Sequence, residues 1–346
     1  MRYRPNPGET TLIEIRPSVA VIGAGMAGIT VARLLTERGY PVTVFDKARG
    51  MGGRMATRRE GECAFDHGCQ FFTVHDERFR SYVESWVEQG LVSPWRHRMA
   101  NCDNGQITVL QDDTVRYVGV PGMNAMIKGM ADGLNVQLAT RIVGATHSEE
   151  SGWTLTAENG PVVGDYELLV VTTPAEQAIP LLAGSPRLQA RAATVRMLPC
   201  WAVMATFDFE LDAPFDAAFV RNSPLVWVAN GGSKPGRAAH ESWILHASPS
   251  WSREHLEDTP DRVAALLLQA FYDAIGIKDV KPTLALGFRW RYAAPEKSLD
   301  EGCIWDDEFA VGAAGDWCHN ARVESAFLSG LMLADAIIAA RPRATL

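Results

Sequence analysis

An α/β fold (α+β overall) is what this sequence predicts: a parallel sheet drawn from both ends of the chain, with a mainly antiparallel sheet between them. Three observations carry the prediction. Near the start, the run "VAVI" leads into Gly23, Gly25 and Gly28 and then into apolar residues at helical spacing. After a second apolar run stands "RGMGGRMATRR", where the doublet Gly52-Gly53 precedes Arg54. Near the end, "FAVGAAGDW" is again an apolar run closed by glycine and an acid, and another helical stretch follows.

Residues 1–16 read as an extension with no continuous apolar region. Val19 to Ile22 suits a strand buried on both faces. Gly23, Gly25 and Gly28 then form G-x-G-x-x-G, with Met26 and Ala27 between the last two. The following helix places Ile29, Ala32 and Leu35 on one face and stops at Gly39 and Pro41. Val42 to Phe45 makes a second strand that ends on Asp46 and Lys47. Strand, glycine turn, helix, strand and acid together are a Rossmann-type fingerprint. Gly23 permits the tight turn, Gly25 admits a pyrophosphate, Gly28 lets helix and strand pack, and Asp46 can bind ribose hydroxyls.

The fingerprint does not say which dinucleotide binds. Gly53 and Arg54 add close backbone approach and a fixed cation, which suits a second pyrophosphate contact. In "FAVGAAGDWCHNARVESAFLSGLMLADAIIAA", residues 309–340, a strand runs to Gly315 and Asp316, and a helix starts at Arg322 with Val323 and Glu324 in its first turn. Asp316 can hold a ribityl or ribose hydroxyl. The helix N-terminus can face the pyrimidine end of a flavin and stabilise its anionic reduced ring. A third piece, "YELLVVTTPAEQA", resembles the strand and turn that cover the dinucleotide in flavoproteins with two dinucleotide domains. These pieces indicate FAD; Ile142, Phe71 and Phe72 complete the candidate cofactor set.

Net charge of −8 argues against nucleic acid as the main partner. Six scattered cysteines without a C-x-x-C fit free thiols in a reducing cytoplasm better than zinc or dithiol chemistry. No apolar stretch is expected to be long enough to cross a bilayer. His67, His75, His97 and His319 show no metal-like spacing.

"FDKARGMGGRMATRR", "FDHGCQFFTVHDERF", "VRYVGVPGMNAM", "SWILHASPSWSREHLE", "FRWRYAAP" and "GDWCHNARVESAFLSG" resemble the renalases, most closely the bacterial branch, within the flavin amine oxidase superfamily. The resemblance covers nearly all of the chain after the extension. It implies a p-hydroxybenzoate-hydroxylase-like architecture, in which a discontinuous domain binds FAD without a covalent link and carries a mainly antiparallel substrate domain. It also implies oxidation of misreduced NAD(P)H isomers, the 2-dihydro and 6-dihydro forms, to NAD(P)+, with O2 reoxidising the flavin to give H2O2. A dihydropyridine pushes out hydride with its own ring nitrogen, so orientation matters more than acid–base help. The absence of a compelling triad or carboxylate pair in the sequence agrees with that.

"FDHGCQFFT" falls where the superfamily lays a segment against the isoalloxazine. Gln70 is the candidate polar contact there, with a buried strand end as the other reading. Trp290 and Tyr292 share one face of a strand, opposite Arg289 and Arg291, and serve either as pocket walls for a nicotinamide or as core aromatics. His246 reaches the same pocket or is a structural histidine. "GGSKPGR", residues 231–237, reads as a mobile basic loop, more a solvated turn than a phosphate site.

Two rivals stand. An amine oxidase would resemble the superfamily in a tyrosine where this chain has Arg322, and monoamine oxidases carry a flavin-linking cysteine in an S-G-G-C segment missing here. A non-catalytic FAD- or NAD-binding module would need no aromatic pocket. The expected organisation is a cofactor domain of residues 17–75, 120–180 and 300–346, and a substrate domain of residues 76–119 and 181–299. The preferred isomer, NAD against NADP forms, and the oligomeric state stay open.

Overall fold

The computed structural model describes residues 16–340 other than 112, 159, 161, 239 and 279; all of the extension but its last residue lies outside them. Six strands form the first sheet, in the order Ile304–Asp306, Val311–Ala313, Leu168–Val171, Val19–Ile22, Val42–Phe45 and Asn135–Gln137. Only Ile304–Asp306 runs antiparallel to its neighbour. The C-terminal strand lies beside Leu168–Val171, which lies beside Val19–Ile22, so the two ends of the chain meet in one sheet.

Both faces of this sheet are covered, which is why its strands are continuous apolar runs. Val19, Val21, Val44, Leu168 and Val170 face a core shared with two helices, Met26–Glu37 and Val323–Ala340. Ala20, Ile22, Phe45, Leu169 and Val171 face a core shared with a small sheet of Ile142–Ser148, Gly152–Ala157 and Val162–Tyr166. The two helices approach closely: a Cβ on Gly330 would sit 2.6 Å from the Ala27 carbonyl oxygen. Val323–Ala340 has 18 residues and is apolar enough, by length and composition, to cross a membrane, which corrects the expectation that no stretch qualifies. Here Phe327, Leu333, Ala334 and Ile337 enter the core.

Seven strands form the second sheet, in the order Leu284–Pro295, Met197–Thr206, Ser242–Ala247, Leu225–Asn230, Ala217–Arg221, Met99–Asp103 and Gln106–Val109. All neighbours are antiparallel except Ala217–Arg221 with Met99–Asp103. Helix Pro260–Ile275 covers one face, where Trp201, Val203, Trp243, Leu245 and Val228 pack on Leu267 and Phe271. That helix starts on a Thr259 cap and ends at Gly276, whose φ of 75° is left-handed. The other face of the sheet looks toward the first sheet's edge of the molecule, with Met204 and Ile244 on Phe65 and Ala229 and Trp227 in the helix-side core.

Two expected domain boundaries are corrected. Helix Glu77–Glu88, placed by sequence in the substrate domain, packs Phe79 and Trp86 on Phe327 of the last helix, at ring separations of 5.1 and 6.0 Å. Helix Pro186–Ala193 likewise puts Leu188 and Ala192 into the core of the first sheet. Both helices have apolar stripes that fit either sheet, and sequence spacing does not choose between them.

Two glycines of the first turn have opposite demands. A Cβ on Gly28 would lie 1.9 Å from the Gly23 carbonyl oxygen, whereas a Cβ on Gly25 would meet nothing within 4 Å. Gly28→Ala is therefore expected to cost about 1–3 kcal/mol by overpacking, and Gly25→Ala less than about 1 kcal/mol as a poorer N-cap. Thermal and urea unfolding of the two variants check this; equal stabilities would show that the turn opens freely.

Candidate cofactor and substrate site

The glycine turn is held from three sides. Thr172 Oγ1 donates to the Ile22 and Gly23 carbonyls at 3.0 and 3.1 Å, so the "TTP" turn sits against Gly23. Gly52 N donates to the Ala24 carbonyl at 2.9 Å, and a Cβ on Gly53 would stand 3.6 Å from the Gly25 Cα. Asp46 accepts from Ala24 N at 2.7 Å and from Ala48 N at 2.8 Å, which fixes the turn and leaves carboxylate lone pairs for a hydroxyl. Gly25 itself faces open space at the N-terminus of a 12-residue helix whose first turn is Met26, Ala27 and Gly28. A cradle lined by free backbone N–H groups and open where a side chain would stand fits a dinucleotide pyrophosphate.

Beyond Asp46, Lys47 Nζ donates to Gln177 Oε1 at 3.2 Å. Lys47 also lines a cavity of about 550 Å³ with Thr140, Arg141 and Glu158. Ile142, next along the chain, is buried.

Arg54 and Asp316 were each expected to contact the cofactor, and the structure pairs them with each other. The guanidinium makes two parallel 2.7 Å bonds to the carboxylate, and also donates to the Ala293 carbonyl at 3.0 Å. One arginine thus ties the glycine doublet to the C-terminal segment and to the second sheet. Gly315 N donates nothing to a ligand; it is bound to Ser329 Oγ at 2.8 Å. Glu324 is also turned inward, accepting from His75 N and Asp76 N at 2.7 and 2.8 Å, so it anchors the start of helix Glu77–Glu88. Arg322 is exposed just before Val323 and lines an open groove of about 320 Å³ with His75, His319 and Asn320.

The segment Asp66 to Phe72 is the junction of the two sheets. Asp66 is 3% exposed and accepts from Thr57 Oγ1, Met123 N, Lys234 Nζ and Arg237 Nη2 at 2.7, 3.0, 3.3 and 2.6 Å. Gln70 is buried; its amide donates to the Asp66 and Gly68 carbonyls and its Oε1 accepts from Lys234 at 3.2 Å. The expected Gln70 polar contact is thus saturated within the protein. The His67 carbonyl accepts from both His246 Nε2, at 3.1 Å, and Trp290 Nε1, at 2.9 Å. The His67 ring stacks on Trp290 with centroids 4.9 Å apart. Gln70, His246 and Trp290 therefore meet on one segment.

The remaining aromatic candidates part company. Phe71 turns toward the second sheet, 5.4 Å from Trp227 and 6.5 Å from Trp95. Phe72 turns the other way, into the helix-side core against Phe79 and Tyr117. Tyr292 packs in the core of the small sheet, two residues from Trp290 but across the bulge in the pairing of its strand. Arg289 and Arg291 both reach Glu257 on the opposite face.

"GGSKPGR" is no solvated turn. Lys234 is 3% exposed, lies 5.5 Å from the centre of the Trp95 ring, and shares Asp66 with Arg237. Sequence reading missed Asp66, Lys234 and Arg237 as a unit, because the loop carries two cations and no acid while the acid stands some 170 positions earlier. The one available signal was "FDHG", an acid closing a short apolar strand.

Burial shapes the titration of these groups. Burial opposes the Asp66 charge, but Lys234, Arg237 and the Met123 amide more than offset it, and the carboxyl is held below its usual range. Burial likewise pulls Lys234 down, against the attraction of Asp66. His67 and His246 are both pushed down to about 4 by burial, so both rings are neutral at pH 7. Burial raises the Cys69 thiol to about 12, leaving it inert.

Comparison with known proteins agrees with this architecture. Residues 21–86 match the model of the NAD(P)-binding Rossmann-like domain. Local sequence matches include a carotenoid phi-ring synthase of Streptomyces griseus, 52% identical over 40 residues, 12% of this chain and 8% of that protein. A probable UDP-galactopyranose mutase of Klebsiella pneumoniae is 28% identical over 93 residues, 26% and 23% of the two chains. A 4,4'-diapophytoene desaturase of Staphylococcus haemolyticus is 34% identical over 76 residues, 19% and 15%. The matched stretches thus span less than a quarter of these relatives. Similarity of structure runs the whole length. A putative protoporphyrinogen oxidase from Exiguobacterium sp. 255-15 superposes with a TM-score of 0.75 at 11% identity, covering 93% of this chain and 98% of that one. A putrescine oxidase bound to putrescine gives 0.71 at 13%, covering 94% and 99%. At such identities the likeness establishes the fold: a Rossmann-type domain joined to a largely antiparallel sheet, as in flavin amine oxidase and protoporphyrinogen oxidase structures.

Two expectations follow from the electrostatics. Asp66→Asn leaves Lys234 and Arg237 buried without their carboxylate and should cost about 3–5 kcal/mol. Adding Lys234→Met should restore part of it, read from urea midpoints; an undiminished midpoint for Asp66→Asn alone would show the cluster to be solvated. The histidines give a pH dependence. Their folded values lie below the unfolded one, so protons bind the unfolded chain preferentially and stability falls as pH drops from about 6.5 to about 4. Each neutral ring contributes a slope of up to about 1.4 kcal/mol per pH unit in that window and nothing above it. A flat unfolding free energy between pH 6.5 and 4.5 would contradict this.

Proposed function

We propose that this protein is an FAD-dependent oxidoreductase, and specifically an oxidase of misreduced NAD(P)H isomers, the 2-dihydro and 6-dihydro forms. The reaction balances as dihydronicotinamide, O2 and a proton giving NAD(P)+ and H2O2. FAD, bound without a covalent link, would supply the hydride acceptor and pass electrons to O2. The cradle at Gly25, the ribose-competent Asp46 and the converging C-terminal segment fit its pyrophosphate and adenosine end. The match to the NAD(P)-binding Rossmann-like domain, residues 21–86, includes this cradle.

The observation that carries the substrate reading is the charge balance at the junction of the sheets. Lys234 and Arg237 share the single carboxylate of Asp66, so that buried cluster holds two basic groups to one acid. Such a site repels an alkylammonium and tolerates an anionic dinucleotide. Around it stand flat rings, Phe71, Trp95, Trp227, His67 and Trp290, which suit a planar nicotinamide. His246 spends its Nε2–H on a carbonyl, and both rings are neutral at pH 7, so neither is an imidazolium with a proton to give. A dihydropyridine needs no base: its nitrogen lone pair expels the hydride, and the chain's task is orientation. The six free cysteines fit a cytoplasmic enzyme, with small-molecule partners only.

The amine reading draws on the full-length likeness to putrescine oxidase. One anaerobic experiment separates the two. Mixed with the yellow protein, 2-dihydro- or 6-dihydro-NAD(P) should bleach the flavin quickly, 4-dihydro NAD(P)H on the order of a hundredfold more slowly because its hydride is misplaced, and monoamines not at all. Rapid bleaching by an amine with none by the dihydronicotinamide isomers would replace this reading with amine oxidation.

A further inference from the structure

Strand register assembles a row of side chains across the second sheet. Asn101 pairs with Phe219, Phe219 with Trp227, Trp227 with His246, His246 with Ala202, and Ala202 with Phe288. Paired residues share a face. This face is the one turned to the Asp66–Phe72 segment, since His246 binds the His67 carbonyl and Trp227 packs on Phe71. Between Asn101 at one end and Phe288 at the other, the row holds the rings of Phe219, Trp227 and His246 and the small Ala202.

Trp227 holds the one unexplained group in this row. Its ring is 6% exposed, fixed between Phe219 at 5.1 Å and Phe71 at 5.4 Å. Its indole Nε1 is buried and has no hydrogen-bond partner among the described residues. A buried N–H left unpaired is costly, which is why such donors almost always have an acceptor. Other buried atoms without a partner among the described residues lie off this row: His67 Nδ1 and Arg237 Nε at the junction of the sheets, Thr173 Oγ1, Glu176 Oε2 and Trp305 Nε1 around the first sheet, and Tyr272 OH on the helix behind the second.

We infer that Trp227 is a specificity-determining residue whose indole N–H donates a hydrogen bond to the ring carboxamide oxygen of the substrate. This rests on the dihydronicotinamide reading and deepens it. An indole nitrogen is a donor only, so its partner must bring an acceptor. The nicotinamide carboxamide does so within the plane of a ring that the neighbouring aromatics can stack; an alkylammonium is itself a donor and cannot pair. A donor fixed on one side of the ring also selects which ring carbon faces the hydride acceptor, because rotating the ring to present another carbon carries the carboxamide away from Trp227.

The test compares wild type with Trp227→Phe, which keeps a ring and removes the N–H, using anaerobic single-turnover reduction by 2-dihydro- or 6-dihydro-NAD. The variant should raise the substrate dissociation constant about three- to tenfold with flavin content unaltered. With the thiocarboxamide analogue, whose sulfur is a poor acceptor, the two proteins should differ by less than about twofold. Equal dissociation constants for the carboxamide substrate, or an equal loss with both substrates, would overturn the assignment in favour of a packing role. Should Trp227→Phe lose its flavin or its fold, site-specific β-(3-benzothienyl)alanine at position 227 keeps the shape and removes only the N–H, and the same comparison is read there. If wild type consumes no dihydronicotinamide isomer, the functional reading itself fails and this inference with it.

Discussion

The Asp66 carboxylate is the constraint on which the rest of the site depends. Four donors from three separate stretches converge on it: Thr57, Met123, and the pair Lys234 and Arg237. Two of these belong to the part of the chain around the glycine doublet and the cofactor sheet, and two to the loop beyond strand Leu225–Asn230 of the second sheet. A carboxylate so placed is a positional device. Its two oxygens offer about four lone-pair sites, and the four donors use them. Moving the second sheet relative to the first would leave buried cations unpaired, a cost that apolar packing alone does not impose. The polar junction therefore fixes the register of two sheets whose apolar faces would tolerate sliding.

A second clamp closes the molecule at its other side. Arg54 reaches across 262 positions of sequence to Asp316 and also touches the backbone at Ala293. The two ends of the chain must meet for the parallel sheet to be complete, since the parallel partner of Val311–Ala313 is Leu168–Val171, itself beside Val19–Ile22. With Arg54 on the glycine doublet and Asp316 on the turn after that strand, the bidentate pair locks the convergence. Gly53, which precedes Arg54, stands beside Gly25, so the bond that closes the fold also anchors one side of the glycine turn.

How much of this could be read from the sequence depended on whether the signal was local. The first βαβ unit was legible, because Gly28 packs on Gly23 and Asp46 binds Ala24, contacts made within the one unit. The strand of Trp290 was legible from the alternation of aromatic and basic residues in "FRWRY". What failed was long-range. Lys234 in a Gly/Pro-rich stretch looks solvated until Asp66 arrives from elsewhere in the chain. Arg54 and Asp316 look like two ligand contacts until the fold puts them face to face. Glu324 looks like a helix-start residue facing a ligand, yet the neighbouring helix needs its carboxylate for two backbone amides. Helix Glu77–Glu88, expected with residues 76–119 of the substrate domain, packs on the last helix, and its apolar stripe says that it packs but not on what.

The saturation of these polar groups is itself a statement about chemistry. Gln70, His246 and Trp290 all direct their hydrogen bonds into the Asp66–Gly68 backbone or Lys234. A general base must hold a free lone pair toward the proton it removes; the Nε2 of His246 is tied to a carbonyl, and the Asp66 carboxylate is enclosed by its four donors. A site whose polar atoms are consumed in holding one peptide segment still is built for placement. That segment carries Phe71 on one side and the His67–Trp290 stack on the other, so rigidity in the backbone becomes fixed orientation of the rings. Reactions limited by acid–base transfer gain little from such a site. Hydride transfer from a donor that supplies its own electron push gains most, because its rate depends on the distance and angle between two carbon- and nitrogen-centred rings, and those are the quantities a rigid aromatic wall controls.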